Sequence, residues 1–170
     1  FSLSRLLHQS NSQMRDEAAD FNALKKKYSA GTQLFGKTLG IVGFGRIGQE
    51  LAKMAIGIGM KVIAVDPLLS NVSLKFNLNG NEFSIDLKTA TMDELLSASD
   101  YISLHVPSSQ KPILGTEEMA KMKKGACIIN TARGGTVDEA GLLEALKSGH
   151  LGGAGIDAFL NEPTPSKEIL

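Results

Sequence analysis

The residues whose types and spacing can do chemistry are Gly43-Phe44-Gly45-Arg46-Ile47-Gly48, Asp66, Arg133 within Thr131-Ala132-Arg133-Gly134-Gly135, and Glu162. A GxGxxG turn between an apolar strand and a helix is built to receive a pyrophosphate. A Cβ at Gly43 would obstruct the chain reversal, Gly45 lets the backbone approach the phosphates, and Gly48 lets the helix lie close on the strand. The first N–H groups of that helix lack intrahelical partners, and with the helix dipole they form an anion site that needs no positive side chain. Asp66 ends the next apolar run, Lys61-Val62-Ile63-Ala64-Val65. A carboxylate there can accept both adenosine ribose hydroxyls and repels a 2′-phosphate, so the pair predicts NAD rather than NADP. In a chain with 18 glycines the glycine spacing alone is weak. Its weight comes from the β-type run Leu39 to Val42 before it and the helical pattern Ile47, Leu51, Met54, Ala55, Ile58 after it.

Arg133 follows an apolar strand and precedes two glycines, so a sharp turn can aim its guanidinium into a cleft, where the planar fork suits a carboxylate or phosphate. Glu162 has the chemistry to orient and charge-stabilise a histidine acting as general acid or base. The chain's own three histidines do not supply that partner. His8 lies in the first helical stretch, His150 in a turn beside Gly149, and His105 at a strand end, where it reads as a hydrogen-bonded rim residue of the cofactor cleft. No HExxH or CxxC spacing is present, which predicts no metal.

These residues need elements to position them. Strand patterns at Leu39 to Val42, Lys61 to Val65, Tyr101 to Pro107, Cys127 to Asn130 and Gly153 to Asp157 alternate with helical ones. Thr91-Met92-Asp93-Glu94 is a capping box opening a short helix to about Ser97. Thr116, Glu117 and Glu118 start another, and Asp138 caps a helix through Leu142, Leu143 and Leu146 that Gly149 ends. Such alternation predicts an α/β, Rossmann-type, doubly wound parallel sheet with helices on both faces, and ligands beyond the carboxyl ends of its strands. Asn79-Gly80 between alternating runs, Leu74, Phe76, Leu78 and Phe83, Ile85, Leu87, predicts a β-hairpin insertion, one arm of which can serve as the third strand of the main sheet. Residues Phe1 to Tyr28 carry apolar positions at roughly helical spacing, read as one long or broken amphipathic helix whose apolar face needs a partner.

The totals exclude several classes. At 170 residues, 42% hydrophobic and 21% charged, the chain can bury one sizeable core plus an appendage. Residues 1–36 read as a connecting helix and linker and 37–170 as the main domain. Lys+Arg and Asp+Glu are equal at 18, so no net field recruits nucleic acid or an anionic membrane. The expected partners are small molecules or other subunits. Cys127, the only cysteine, lies in an apolar run and reads as a buried hydrophobe. No apolar run reaches membrane-spanning length and no signal peptide is evident, which gives a cytoplasmic expectation. The start at Phe1 rather than Met points to a fragment.

Taken in order, Gly43 to Gly48, Asp66-Pro67, His105-Val106-Pro107, Asn130 to Glu139 and Gly155 to Pro163 resemble the NAD-binding domain of the D-isomer-specific 2-hydroxyacid dehydrogenases. The resemblance spans Lys37 to Pro163. It implies that Arg46 and Ile47 meet the pyrophosphate, Asp66 the ribose, and Val106 and Pro107 the adenine side. Thr131, Ala132 and Asp157 would lie near the nicotinamide, Arg133 would hold the substrate carboxylate and polarise its carbonyl, and Glu162 would pair with the family's catalytic histidine. It also implies hydride transfer between NAD and a 2-hydroxy or 2-oxo acid, and a homodimer or larger assembly formed through this domain. The family's histidine follows the glutamate at a distance that takes it past Leu170, and most of its first, substrate-selecting domain has no counterpart here. The chain is therefore expected to be part of a two-domain enzyme that by itself binds NAD and turns over poorly or not at all. The loop Ser108 to Lys111 looks shorter than the family's and lacks its threonine. Corepressors that share this fold keep the arginine and the glutamate, so a non-enzymatic NAD-sensing scaffold stays open at this point.

Overall fold

A computed structural model describes residues 1–16, 18 and 20–169. The chain divides into two compact units, Phe1–Phe35 and Gly36–Leu170.

In the first unit the expected helix takes its broken form, as α1 (Leu7–Gln13) and α2 (Phe21–Tyr28). Asp20 supplies the break: its Oδ1 accepts the N–H groups of Asn22 and Ala23, which caps α2 afresh. Positions 17 and 19 of that stretch lie outside the described residues. Lys25, Lys26 and Lys27 fill the last turn of α2, where the dipole favours them. Neither helix buries a residue, and Leu7 and Phe21 stay exposed.

The second unit is built on a five-stranded parallel sheet in the order β2-β1-β5-β6-β7. Its strands are β1 (Thr38–Val42), β2 (Lys61–Val65), β5 (Tyr101–Leu104), β6 (Cys127–Asn130) and β7 (Gly153–Ile156). The crossover helices are α3 (Arg46–Gly57), α4 (Met92–Ala98), α5 (Thr116–Lys121) and α6 (Glu139–Lys147). From β1 the chain steps outward to β2 through α3, then returns past β1 and proceeds the other way through α4, α5 and α6. Right-handed crossovers then place α3 on one face and the other three helices on the opposite one. The core fills that second face with Leu95, Leu96, Leu114, Met119 and Leu142 packed against Ile102, Leu104 and Ile128 of the sheet.

The caps of α4 and α6 are those the sequence predicts, and α5 begins at Thr116 as expected. Thr91 and Glu94 close a capping box on α4, Glu118 Oε2 accepts the N–H of Gly115 ahead of α5, and Asp138 Oδ1 accepts the N–H of Ala140 in α6. No helix among the described residues is long and apolar enough to cross a membrane.

The hairpin forms where expected, as β3 (Asn71–Leu78) and β4 (Asn81–Lys88) joined at Asn79 (φ 53°) and Gly80 (φ 84°). The expectation that one arm completes the main sheet is corrected: β3 and β4 make a separate two-stranded antiparallel sheet, and β2 is an edge strand. Strict alternation suits a sheet with one wet face, whereas a strand inside a parallel sheet is apolar on both. A single backbone bond, from the N–H of Ala90 to the carbonyl of Ala64 at 2.8 Å, brings the return segment to β2.

Candidate functional site

The parallel registers align the carboxyl ends of all the main strands in one row. Val65, Val42, Leu104, Asn130 and Ile156 are successive partners across the sheet. The residues that leave this row are Asp66, Gly43, His105, Thr131 and Asp157, each of them singled out from sequence. One sheet edge therefore collects the expected site, and it does so at the point beside β1 and β5 where the strand order reverses, the place open α/β sheets keep for ligands.

The first cluster joins the turns after β1, β2 and β5. Asp66 Oδ2 accepts the N–H of Phe44 at 2.8 Å, and the Gly43 N–H donates to Val65. Gly43 has φ +91°, and a Cβ there would run into the His105 carbonyl and the Val106 side chain. A Cβ on Gly48 would strike the carbonyl of Gly43. Gly45 differs, since nothing lies within 4 Å of its would-be Cβ and it faces open space. No side chain caps α3 and no acid sits in its first turn, so its free N–H groups and dipole face that space. A phosphate-bearing cofactor such as NAD fits this cradle.

The inner face of α3 is Gly48, Ala52 and Ala55, small residues that let it approach the sheet closely. Ile47, Met54 and Ile58 project into solvent, so most of the apolar pattern read from sequence lies on the outer side. Arg46 is exposed at the start of α3 beside the open cradle.

His105 is half-buried, and its Nε2 lies 2.9 Å from Ser103 Oγ. Burial pushes its pKa below the usual imidazole value, so the neutral ring is favoured. Val106 packs on Gly43, while Pro107 is exposed.

The second cluster joins the loops after β6 and β7, and its centre is Asn130, which is 1% exposed. The Asn130 amide donates to the carbonyls of Arg133 at 3.1 Å and Ala158 at 3.4 Å, and its Oδ1 accepts the N–H of Ala132. A Cβ on Gly134 would collide with the Phe159 carbonyl, so the two loops touch backbone to backbone. Glu139, in the first turn of α6, accepts the N–H of Leu160 at 2.7 Å, and Glu162 Oε1 accepts that of Phe159 at 2.8 Å. Arg133 is exposed, with Nη1 donating to the Ala132 carbonyl at 2.6 Å. Thr131 and Asp157 are exposed at the row itself, and Ala132 is partly covered.

Sequence reasoning missed the fastening roles of Asn130 and Glu139. A polar residue ending an apolar strand just before the arginine loop is a readable signal for the first, because a buried amide must find partners. Glu139 reads only as a first-turn acid. His8 is exposed on α1, and His150 turns away to the Met119 carbonyl at 2.9 Å. Among the described residues no His, Cys, Asp and Glu cluster could hold a metal.

Comparison with known proteins agrees with this geometry. The chain is 46% identical over 147 residues to hydroxypyruvate reductase of Thermotoga maritima, covering 85% of this chain and 44% of that protein. It is 44% identical over 142 residues to D-3-phosphoglycerate dehydrogenase of Bacillus subtilis, covering 82% of this chain and 26% of that one. The apo crystal structure of D-mandelate dehydrogenase from Rhodotorula graminis superposes with a TM-score of 0.83 at 31% identity, over 98% of this chain and 48% of that chain. The chain thus spans less than half the length of these relatives. Over residues 1–170 it matches the family described as D-isomer specific 2-hydroxyacid dehydrogenase, NAD binding domain. A glycine turn with an open phosphate cradle, an aspartate at the next strand end and an arginine loop on the same sheet edge are what such a domain requires, and the chain belongs to that family as its NAD-binding domain.

Proposed function

We propose that the protein oxidises a D-2-hydroxy acid with NAD, most closely as a D-3-phosphoglycerate dehydrogenase of serine biosynthesis, and that this chain is its cofactor-binding part. The observation that carries the reading is the in-register row of strand ends, which delivers Asp66, Gly43, His105, Thr131 and Asp157 to one edge. NAD, when bound, supplies the hydride acceptor. The turn Gly43 to Gly48, with Arg46 and Ile47, holds its pyrophosphate on the open end of α3, and Asp66 takes the ribose. Val106 and Pro107 flank the adenine, while Thr131, Ala132 and Asp157 attend the nicotinamide.

Arg133 grips the substrate carboxylate and polarises the carbonyl. Among the described residues only its Nη1 is engaged, by a backbone carbonyl, which leaves guanidinium N–H groups for a bidentate grip. Glu162 uses Oε1 to hold its own loop, which leaves Oε2 to orient a histidine from outside this chain. In this reading residues 1–36 connect to a substrate domain and 37–170 form the NAD domain. The free, buried thiol of Cys127 supports a cytoplasmic location. The outward residues of α3 support a homodimer or larger assembly through this domain.

The test is NADH formation by the full-length enzyme with D-3-phosphoglycerate and D-glycerate, and NADH consumption with hydroxypyruvate and glyoxylate. Phosphoglycerate is expected to give the highest kcat/KM, with Arg133→Gln lowering it about a hundredfold or more. Faster hydroxypyruvate turnover would make the protein a hydroxypyruvate or glyoxylate reductase, which the 46% identity to the Thermotoga protein supports equally. NAD binding without turnover of any of these acids would instead favour a non-enzymatic, NAD-sensing scaffold.

A further inference from the structure

We propose that the free edge of β4 pairs antiparallel with β4 of a second copy of this chain, joining two hairpins into one four-stranded sheet centred on Ile85. The inference rests on the reading that the chain self-assembles, and it assigns that assembly a surface of its own.

An edge strand ordinarily carries a guard: a proline, a bulge, a covering element, or a charge in the middle of its apolar face. β4 carries charges only on its other face, Glu82, Asp86 and Lys88, and has no proline, bulge, inward charge or covering element among the described residues. Its register with β3 runs unbroken from Asn81 opposite Leu78 to Lys88 opposite Asn71, it contains no Pro or Gly, and every residue except Leu87 is exposed. A row of backbone donors and acceptors is left facing water beside half-covered apolar side chains, among them Phe83 and Ile85.

The turn fixes which groups face out. A two-residue turn with both φ values positive makes Leu78 and Asn81 a hydrogen-bonded pair, and such pairs alternate along a hairpin. Residues 81, 83, 85 and 87 therefore spend their N–H and C=O groups on β3, whereas Glu82, Ser84, Asp86 and Lys88 direct theirs outward. A symmetric partner must match outward residues with outward residues.

Centred on Ile85, the pairing sets Glu82 against Lys88 of the second copy and Ser84 against Asp86, each pair exchanging both backbone bonds. On the other face it sets Ile85 against its own copy and Phe83 against Leu87, in the closer, non-hydrogen-bonded positions where side chains pack best. The neighbouring allowed registers fail on charge. Centring on Ser84 puts Glu82 against Asp86, and centring on Asp86 puts that carboxylate against itself. Within its own hairpin each of these charges faces an amide, Glu82 opposite Asn77 and Lys88 opposite Asn71, and neither forms a salt bridge among the described residues. Lys88 also contributes to the field that lowers the Glu94 pKa. Glu82 and Lys88 meet only in the register centred on Ile85, which pairs a longer stretch of β4 than those centred on Phe83 or Leu87, and this specifies a second copy, not an arbitrary strand.

The test is cross-linking of the 170-residue chain under mild oxidation, with light scattering alongside. Ile85→Cys is expected to give a disulfide dimer, because identical residues meet at the axis, and Ser84→Cys to give none. Cys127 contributes no background, since burial keeps it covered and pushes its thiol pKa up. Adding Glu82→Lys to Ile85→Cys should slow cross-linking about tenfold, as attraction becomes repulsion at both symmetric pairs, and adding Lys88→Glu as well should restore it. Thermal melts check that each variant is folded, and light scattering of the single charge reversal reads the same contact without a new cysteine.

A dimer by light scattering with no Ile85→Cys cross-link overturns the β4 contact and leaves self-assembly standing. A monomer with no cross-link overturns both. Equal cross-linking by Ser84→Cys, or no rescue by the double charge reversal, overturns the register and with it the proposal.

Discussion

Asp66 reaches back across the sheet edge to Phe44, its Oδ2 accepting the backbone N–H at 2.8 Å, while its Oδ1 takes the N–H of Leu68 at 2.9 Å. The aspartate thus shapes the glycine turn, beside the proposed role of its charge in separating NAD from NADP. Two substitutions divide these roles. Asp66→Asn keeps a side-chain acceptor for Phe44 and loses the charge, so calorimetric titration should show the NAD preference falling about tenfold with little change in melting temperature. Asp66→Ala should lose the preference and also about 1 kcal/mol of stability, the partly exposed hydrogen bond being worth less than a buried one.

Gly45 and Gly48 are expected to fail in opposite ways. Alanine at Gly45 meets no protein atom within 4 Å, so the variant should melt like the parent yet bind NAD at least about tenfold more weakly, its methyl group standing in the cradle. Alanine at Gly48 drives a Cβ into the Gly43 carbonyl and should cost about 1–3 kcal/mol before any ligand is added. Melting curves with and without NAD separate the two.

Asn130→Ala removes the amide that joins the arginine loop to the β7 loop. With the Ala132 N–H and the Arg133 and Ala158 carbonyls left without it, the loss should be about 2 kcal/mol in chemical unfolding. Hydrogen exchange should quicken at residues 132–134 and 158–160 ahead of the rest of the sheet. Exchange that quickened evenly would mean that Asn130 serves the core rather than the loops.

His105 makes stability depend on pH. Burial holds its folded-state pKa below the 6.5 of a free imidazole, so near neutrality and below the unfolded chain binds the extra proton more readily. The contribution is complete above the unfolded pKa and is lost as pH falls through the folded one. Melting temperature should therefore drop on acidification below about pH 6.5, and His105→Gln should remove that part of the drop while keeping a hydrogen-bonding partner for Ser103.

Local chemistry was readable in the sequence, and partnership between distant segments was not. Asn79-Gly80 dictates its turn by backbone preference alone, and Thr91 with Glu94 dictates a cap, so both appear where the residues say. Which strand lies beside β2 depends on what the hairpin arms bury, and their alternating faces suit each other better than the main sheet. The α3 pattern misleads for a related reason. Periodicity weighs large side chains, whereas close packing beside the glycine turn selects Gly48, Ala52 and Ala55, leaving Ile47 and Met54 outside. The strand ends could be read because every candidate residue follows an apolar run, and the parallel registers then bring those ends level. Asn130 stood within the recognised motif, but a buried amide shows its partners only when the loops are folded around it.

The contact of Gly134 with the Phe159 carbonyl, with Asn130 fastened to both loops, makes the segments bearing Arg133 and Glu162 a single moving part. The entropy of ordering one against the other is lost when the chain folds, not when a ligand arrives. On the proposed reading, a carboxylate drawn in by Arg133 finds Glu162 already set in its loop. Substitutions at the two residues should not combine as independent losses: once either segment has worked loose, the second change has less left to remove.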